Sequence, residues 1–329
     1  MTTMTTTTAR VGPDTWKAQT SRVVSRYALP ILIGVVAVVA SVTTRGFAEP
    51  TNFRAILINA AIVGMAAVGM TAVTLSGNFF SLGIGSTVVM AGILFLATAD
   101  RFGSVILAGM ATLVIVSTLG AVQALIVGAG LNPVITTLAF GTIIYGAVAV
   151  QTGGEVVTAG STEVTMLATT QVAGLPMPVL VFILLTAVAA VLANRTVIGR
   201  RMRLLGENRE TAVTSGIPVL GTTMAAFLFM SLGAVLAGIF SAAQLRQMQA
   251  NDLPTLTMDI IAAVLVGGAA IAGGEASPVR SALGALLLVI LGNVMLLQGF
   301  NPGVRVFGVG VVTVILVVAL HQLRKAAVR

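Results

Sequence analysis

The sequence predicts an all-α polytopic membrane protein with about ten transmembrane helices and both termini in the cytoplasm. Three observations carry this. Of 329 residues, 57% are hydrophobic. Only 9% are charged, against roughly 25% in an average soluble domain. The apolar residues also gather into long uninterrupted runs. So few charges could not cover the exterior of a soluble core of this size. A soluble enzyme, a nucleic-acid-binding protein and a disordered chain are therefore poor readings.

A bilayer core of roughly 30 Å needs about 20 mostly apolar residues per helix. Ten stretches qualify: 28–44, 55–75, 81–98, 103–128, 133–150, 177–194, 219–243, 258–274, 280–298 and 303–321. Val311–Leu320 is the strongest run, uncharged and rich in branched side chains. The stretches 81–98 and 258–274 are the weakest, because glycines interrupt them. Residues 1–27 read as a polar, basic, threonine-rich cytoplasmic tail, and 322–329 as a second tail. The first tail with its apolar run resembles a signal peptide, but its basic region is too long, so 28–44 is expected to remain as a helix. Residues 28–321 form one transmembrane domain in this reading.

Charge placement sets the orientation. With ten spans and inner termini, thirteen of the eighteen Lys and Arg fall on inner segments and five on outer ones, as the positive-inside rule requires. The outer bases are Arg45, Arg54, Arg101, Arg246 and Arg305. The formal charge of +8 is thus an inward bias rather than a sign of a polyanion partner.

Two loops are long. The outer loop 151–176 carries Glu155 and Glu163 and no base. The inner loop 195–218 carries five arginines and two glutamates. Within it Asn208 suits a helix N-cap, Glu210 the first turn, Gly216 the left-handed C′ position, and Pro218 ends the helix. These marks specify a short helix near 207–216. Two turns are marginal in water and become useful in a partner's groove. The alternative is a basic loop lying on anionic lipid.

Chemistry is scarce. There is no cysteine and a single histidine, His321, at the end of the last helix. Thiolate chemistry, a catalytic relay and a metal site are therefore not expected, and neither is an intramembrane enzyme. No Gly-x-x-x-x-Gly-Lys-Ser/Thr loop is present, so the chain is not expected to hydrolyse ATP. Intramembrane polar residues are the pathway candidates: Asn59, Thr71, Thr74, Ser86, Thr136, Thr137 and Asn293. An amide in lipid costs several kcal/mol unless paired. The alternative for each is helix–helix hydrogen bonding. Gly77–Gly85 and Gly267–Gly274 break two spans at comparable places, which hints at a repeat with non-helical backbone facing a cavity; close-packing glycines are the alternative. Asp259, at the edge of the eighth span, is the one candidate for ion coupling.

The inner loop resembles the coupling loop of permease subunits of ATP-binding-cassette importers, and most closely the ribose/xylose/arabinose-type sugar permeases. Gly199, Arg200, Arg201, Gly206, Asn208, Ala212, Ser215, Gly216 and Ile217 follow that family's pattern in order. Asn132-Pro133 to Thr137-Leu138, Thr152-Gly153-Gly154, Met258-Asp259 to Ala263, Gly267-Gly268 and Gly273-Gly274 resemble its other motifs. The resemblance covers roughly 50–320. One departure stands out: Gly77-Asn78-Phe79-Phe80-Ser81-Leu82-Gly83 has Phe79 where the family has an acid.

The resemblance implies a transport subunit, not an enzyme. It would bind no cofactor, with ATP and Mg held by a cytoplasmic partner ATPase. It would pair with an identical or different second permease in the cytoplasmic (inner) membrane and receive substrate from an external binding protein. Arg200, Arg201, Gly206, Glu207, Asn208, Glu210, Ala212, Ser215 and Gly216 would couple to the ATPase. Asn78, Phe79 and Ser81 join the pathway candidates. Arg246, Glu155 and Glu163 are the candidates for docking the binding protein. A monosaccharide or polyol is the expected cargo. A branched-chain amino acid or nucleoside remains open, as does a proton- or sodium-driven carrier.

Overall fold

A computed structural model of the chain describes residues 14–158, 160, 162–270 and 273–328. Thirteen helices are present among them: α1 Asp14–Thr43, α2 Pro50–Leu75, α3 Ile84–Phe102, α4 Val105–Gly128, α5 Pro133–Thr152, α6 Thr162–Thr169, α7 Met177–Arg195, α8 Val197–Glu207, α9 Arg209–Thr214, α10 Val219–Leu245, α11 Leu256–Val266, α12 Pro278–Leu297 and α13 Pro302–Val328. Eight are long and apolar enough to cross a membrane: α2, α3, α4, α5, α7, α10, α12 and the Pro302–Ala319 part of α13. Tyr27–Thr43 within α1 and Leu256–Val266 are shorter apolar helices. The chain is therefore a multi-pass membrane protein.

Every expected apolar stretch holds a helix, but several boundaries move: the second helix begins already at Pro50, and the last runs on to Val328 through the stretch read as the second tail. The first helix begins at Asp14, within the stretch read as a tail. The third begins at Ile84 and runs to Phe102. The eighth stops at Val266, so its glycine-rich second half is not helical. Eleven residues at 1.5 Å each reach only about 16 Å.

At the centre lies α2, apolar on every face and buried accordingly from Ala60 to Leu75 except at Val63. Packing against it is α10, through small residues. A methyl group on Gly233 would sit 2.6 Å from the Met65 carbonyl oxygen and 2.9 Å from Gly69 Cα. On Gly238 it would meet the Val88 carbonyl of α3 at 2.5 Å. Lipid tails are as apolar as Leu, so close backbone approach, rather than the hydrophobic effect, holds such helices together. By contrast α13 exposes Val306, Phe307, Val314, Ile315 and Val318.

The described residues of the loop 151–176 are folded. Its strand β1 (Val157–Thr158) pairs antiparallel with β4 (Gln247–Met248) of the segment after α10. Strands β2 (Gln171–Val172) and β3 (Leu175–Pro176) form a hairpin after α6. The side chain of His321 lies outside the described residues.

Candidate functional site

Two regions collect the candidate residues, one at each end of the bundle. The first surrounds α8 and α9. Thr196 caps α8 by accepting from Gly199 N at 3.2 Å. Asn208 caps α9 by accepting from Thr211 N at 3.0 Å. At its other end Gly216 has φ +76°. Gly216 N donates to Val213 O and Ile217 N to Ala212 O, both at 3.0 Å, which closes a Schellman turn. The expected α9 is thus capped as its residues dictate. The preceding helix α8 was not expected. Its signal is the apolar face of Met202 and Leu205, both buried, opposite exposed Arg200 and Arg201. Ala212 is buried, whereas Glu207, Asn208, Glu210, Ser215 and Gly216 are exposed.

Gly206 does something sequence reading did not assign. A methyl group there would collide with the Leu75 carbonyl of α2 and lie 2.5 Å from Gly274 N. One on Gly77 would lie 2.6 Å from Gly206 Cα, and one on Gly273 would strike Gly77 Cα. Three backbones therefore touch here: the end of α8, the α2–α3 segment and the α11–α12 segment. Any side chain would separate them.

From this junction residues 76–83 run as non-helical backbone to the start of α3. Non-helical backbone inside a bundle must find internal partners. Leu82 N donates to Thr137 Oγ1 at 3.1 Å, and Gly85 N to Thr257 Oγ1 at 3.1 Å. Gly83, the N-cap of α3, has no side chain to offer. Thr137 and Thr257 take over the capping from α5 and α11. The α11–α12 segment is held likewise, with Ala270 N donating to Glu275 O at 2.8 Å.

The pathway candidates divide sharply. Thr71 is buried, donating to Ala67 O and lying 2.9 Å from Ser281 Oγ. Thr74 donates to Met70 O and Thr136 to Asn132 O. Asn78 is buried and bonded to Ser76 Oγ at 2.9 Å. Ser81 is buried, and Phe79 is partly exposed, edge-on to Phe80. Ser86 lines a cavity of about 230 Å³ with Thr142 and Tyr145.

Only Asn59 and Asn293 meet in one cavity, of about 440 Å³, between α2, α11, α12 and α13. Thr255, Asp259 and Arg305 share it. Asn293 and Asn52 exchange both amide hydrogen bonds, at 2.8 and 3.0 Å. Thr255 Oγ1 donates to Asp259 Oδ2 at 3.0 Å. Arg305 Nε is buried without a partner. Sequence reading placed Arg305 only among the outer bases and gave it no part in the pathway; its position one turn into an apolar helix was the available signal.

At the end remote from α8, Arg246 is exposed beside Arg54, whose Nη2 donates to Thr169 O at 3.4 Å. Glu155 is exposed. Glu163 accepts from Val105 N at 3.3 Å, serving the first turn of α4. The β1–β4 pairing brings the two loops bearing these residues together. Among the described residues no three acidic or histidine side chains converge as metal ligands.

A bundle with a doubly capped, exposed helical elbow at one end and broken helices behind it defines a membrane permease. The profile of the family described as "Branched-chain amino acid transport system / permease component" matches residues 52–320, and the chain belongs to that family. Among its relatives, the ribose import permease protein RbsC of Bacillus subtilis (strain 168) is 29% identical over 312 residues, covering 89% of this chain and 91% of the relative. The galactofuranose transporter permease protein YtfT of Escherichia coli (strain K12) is 29% identical, covering 78% and 75%. The L-arabinose transport system permease protein AraH of the same strain is 24% identical, covering 85% and 86%. No solved structure matches the chain.

Proposed function

We propose that this chain is the membrane-spanning subunit of an ATP-driven importer for a monosaccharide or polyol. The observation that carries the reading is the α8–α9 elbow, seated by backbone contact on the two broken segments of the bundle. Its exposed charges, Arg200, Arg201, Glu207 and Glu210, face away from the bundle and are free to meet a partner. The cargo class comes from the relatives named for ribose, galactofuranose and arabinose.

In this reading ATP and Mg sit on a cytoplasmic ATPase whose closure presses on α9. The push passes through α8 to the Gly77–Gly206–Gly273 contact and from there to the starts of α3 and α12. A second permease subunit, identical or not, completes the pathway across the inner membrane. Ten crossings with both termini inside put α8 and α9 in the cytoplasm, as the positive charge bias favours. α1 then supplies the first crossing, and α11 with its non-helical continuation the eighth. The folded cap around Arg246, Glu155 and the β1–β4 pair faces the external binding protein.

The test is uptake by the chain reconstituted with its ATPase and binding protein in proteoliposomes. ATP-dependent accumulation of ribose, L-arabinose or another monosaccharide is expected. ATP-dependent accumulation of leucine with no sugar uptake would remove the sugar assignment. Uptake driven by a proton or sodium gradient without ATP would remove the importer assignment as a whole.

A further inference from the structure

We infer that the cavity between α2, α11, α12 and α13 is a substrate-holding site, in which Asp259 and Arg305 contact the sugar directly. This rests on the sugar-permease reading and goes beyond it by naming the site and its ligating groups.

At about 440 Å³ the cavity falls within the ~300–1,000 Å³ typical of small-molecule sites. Its wall is mostly apolar, with Val63, Leu288 and Val309 among its lining. Five polar side chains interrupt that wall: Asn59, Thr255, Asp259, Asn293 and Arg305. They come from all four helices or their immediate N-terminal flanks, so the site is assembled rather than local.

The chemistry of the set points to a neutral polyol. Carboxylate, amide and guanidinium are planar groups that suit adjacent hydroxyls: the carboxylate accepts from them, the guanidinium donates to them, and the amide does both. One acid and one base leave the wall with no net formal charge, so it would not trap an ion. Thr255 holds one oxygen of Asp259 and thereby orients the carboxylate. The Asn52–Asn293 amide pair fixes Asn293. Arg305 Nε, buried and unpartnered, is a donor awaiting an acceptor; such a donor costs roughly 1–3 kcal/mol while unmatched. The apolar remainder suits the C–H face of a sugar ring.

The absence of cysteine makes the test clean. Single cysteines are placed at Asn59 and at Gly292, where a side chain meets open space. A third goes at Val314, 64% exposed on α13. The assembled transporter is then treated with a cationic, membrane-impermeant methanethiosulfonate. Asn59→Cys and Gly292→Cys should react, and whichever of D-ribose or L-arabinose the wild-type complex takes up should slow both at least threefold. Val314→Cys should be indifferent to sugar. Asp259→Asn and Arg305→Gln should each lower uptake at least tenfold while binding-protein-stimulated ATP hydrolysis persists. Equal labelling with and without sugar, in a complex that does transport that sugar, would overturn the site. So would undiminished uptake in both charge variants. A wild-type complex that takes up leucine and no sugar overturns the cargo class instead, and is read from uptake alone.

Discussion

The two ends of this bundle solve opposite problems. At the α8 end Gly206, Gly77 and Gly273 bring three backbones into contact with no side chain between them. At the cavity the helices α2, α11, α12 and α13 stand apart around about 440 Å³ of space. A contact made of backbone cannot yield by changing rotamers, so a displacement of α8 must move the α2–α3 and α11–α12 segments with it. A cavity walled by side chains can change shape while its helices keep their bonds. The first suits transmission of force and the second suits a passing ligand.

The sharpest way to break this contrast is to make one substitution at both ends. Gly206→Ala places a methyl against the Leu75 carbonyl and Gly274 N, both backbone. Overpacking typically costs 1–3 kcal/mol, and rigid backbone neighbours put this site at about the upper end. We expect transport to fall at least 50-fold and thermal stability to drop. Gly292→Ala meets nothing within 4 Å, and a helical Gly→Ala change is worth up to about 1 kcal/mol in stability. Its thermal midpoint should hold or rise, and its transport should fall far less than that of Gly206→Ala. Equal losses in the two variants, measured by uptake and thermal unfolding in the same lipid, would erase the distinction.

A middle-sized effect tests how the broken segments are held. Thr257→Val removes the hydroxyl that accepts from Gly85 N. A buried N–H left unmatched costs roughly 1–3 kcal/mol. The expected result is a lower unfolding midpoint and faster amide exchange at Gly85, both restored by Thr257→Ser. Exchange at Gly85 that does not change would mean the α3 start is satisfied by another group.

How much of this was legible follows from where the information sits. The cap of α9 was readable because Asn208, Gly216 and Pro218 act within their own stretch of chain. The apolar stretches were readable because lipid imposes length and composition directly. The length of α11 was not, because Ala269 and Ala270 are as apolar as a helix and only the glycines beside them hint at the break. The place of Arg305 in the cavity was hidden for a related reason. Its counterpart Asp259 lies 46 positions away, and no local pattern says that they share a cavity. The hydroxyl residues were ambiguous in principle: Thr137 and Ser86 look alike in sequence, yet one caps α3 and the other lines open space.

The smallest effect concerns the α9 cap, and it separates a local fault from a transmitted one. Gly216 has φ +76° and open space where a side chain would go, so only backbone conformation opposes Gly216→Val. The left-handed region costs an L-residue roughly 1–2 kcal/mol, and β-branching adds to it. That is enough to undo the turn closed by Ile217 N and Ala212 O, but not to disturb helices buried elsewhere. The protein should therefore insert normally and keep its thermal midpoint within about 3 °C, since a few kcal/mol spread over a chain this long moves it little. ATP hydrolysis by the assembled transporter should continue while uptake falls severalfold. Gly216→Asn, whose side chain tolerates the left-handed region, should recover most of the loss. Full uptake in the Val variant would show that α9 need not be ordered to receive the push, and would move the point of contact to the exposed arginines of α8.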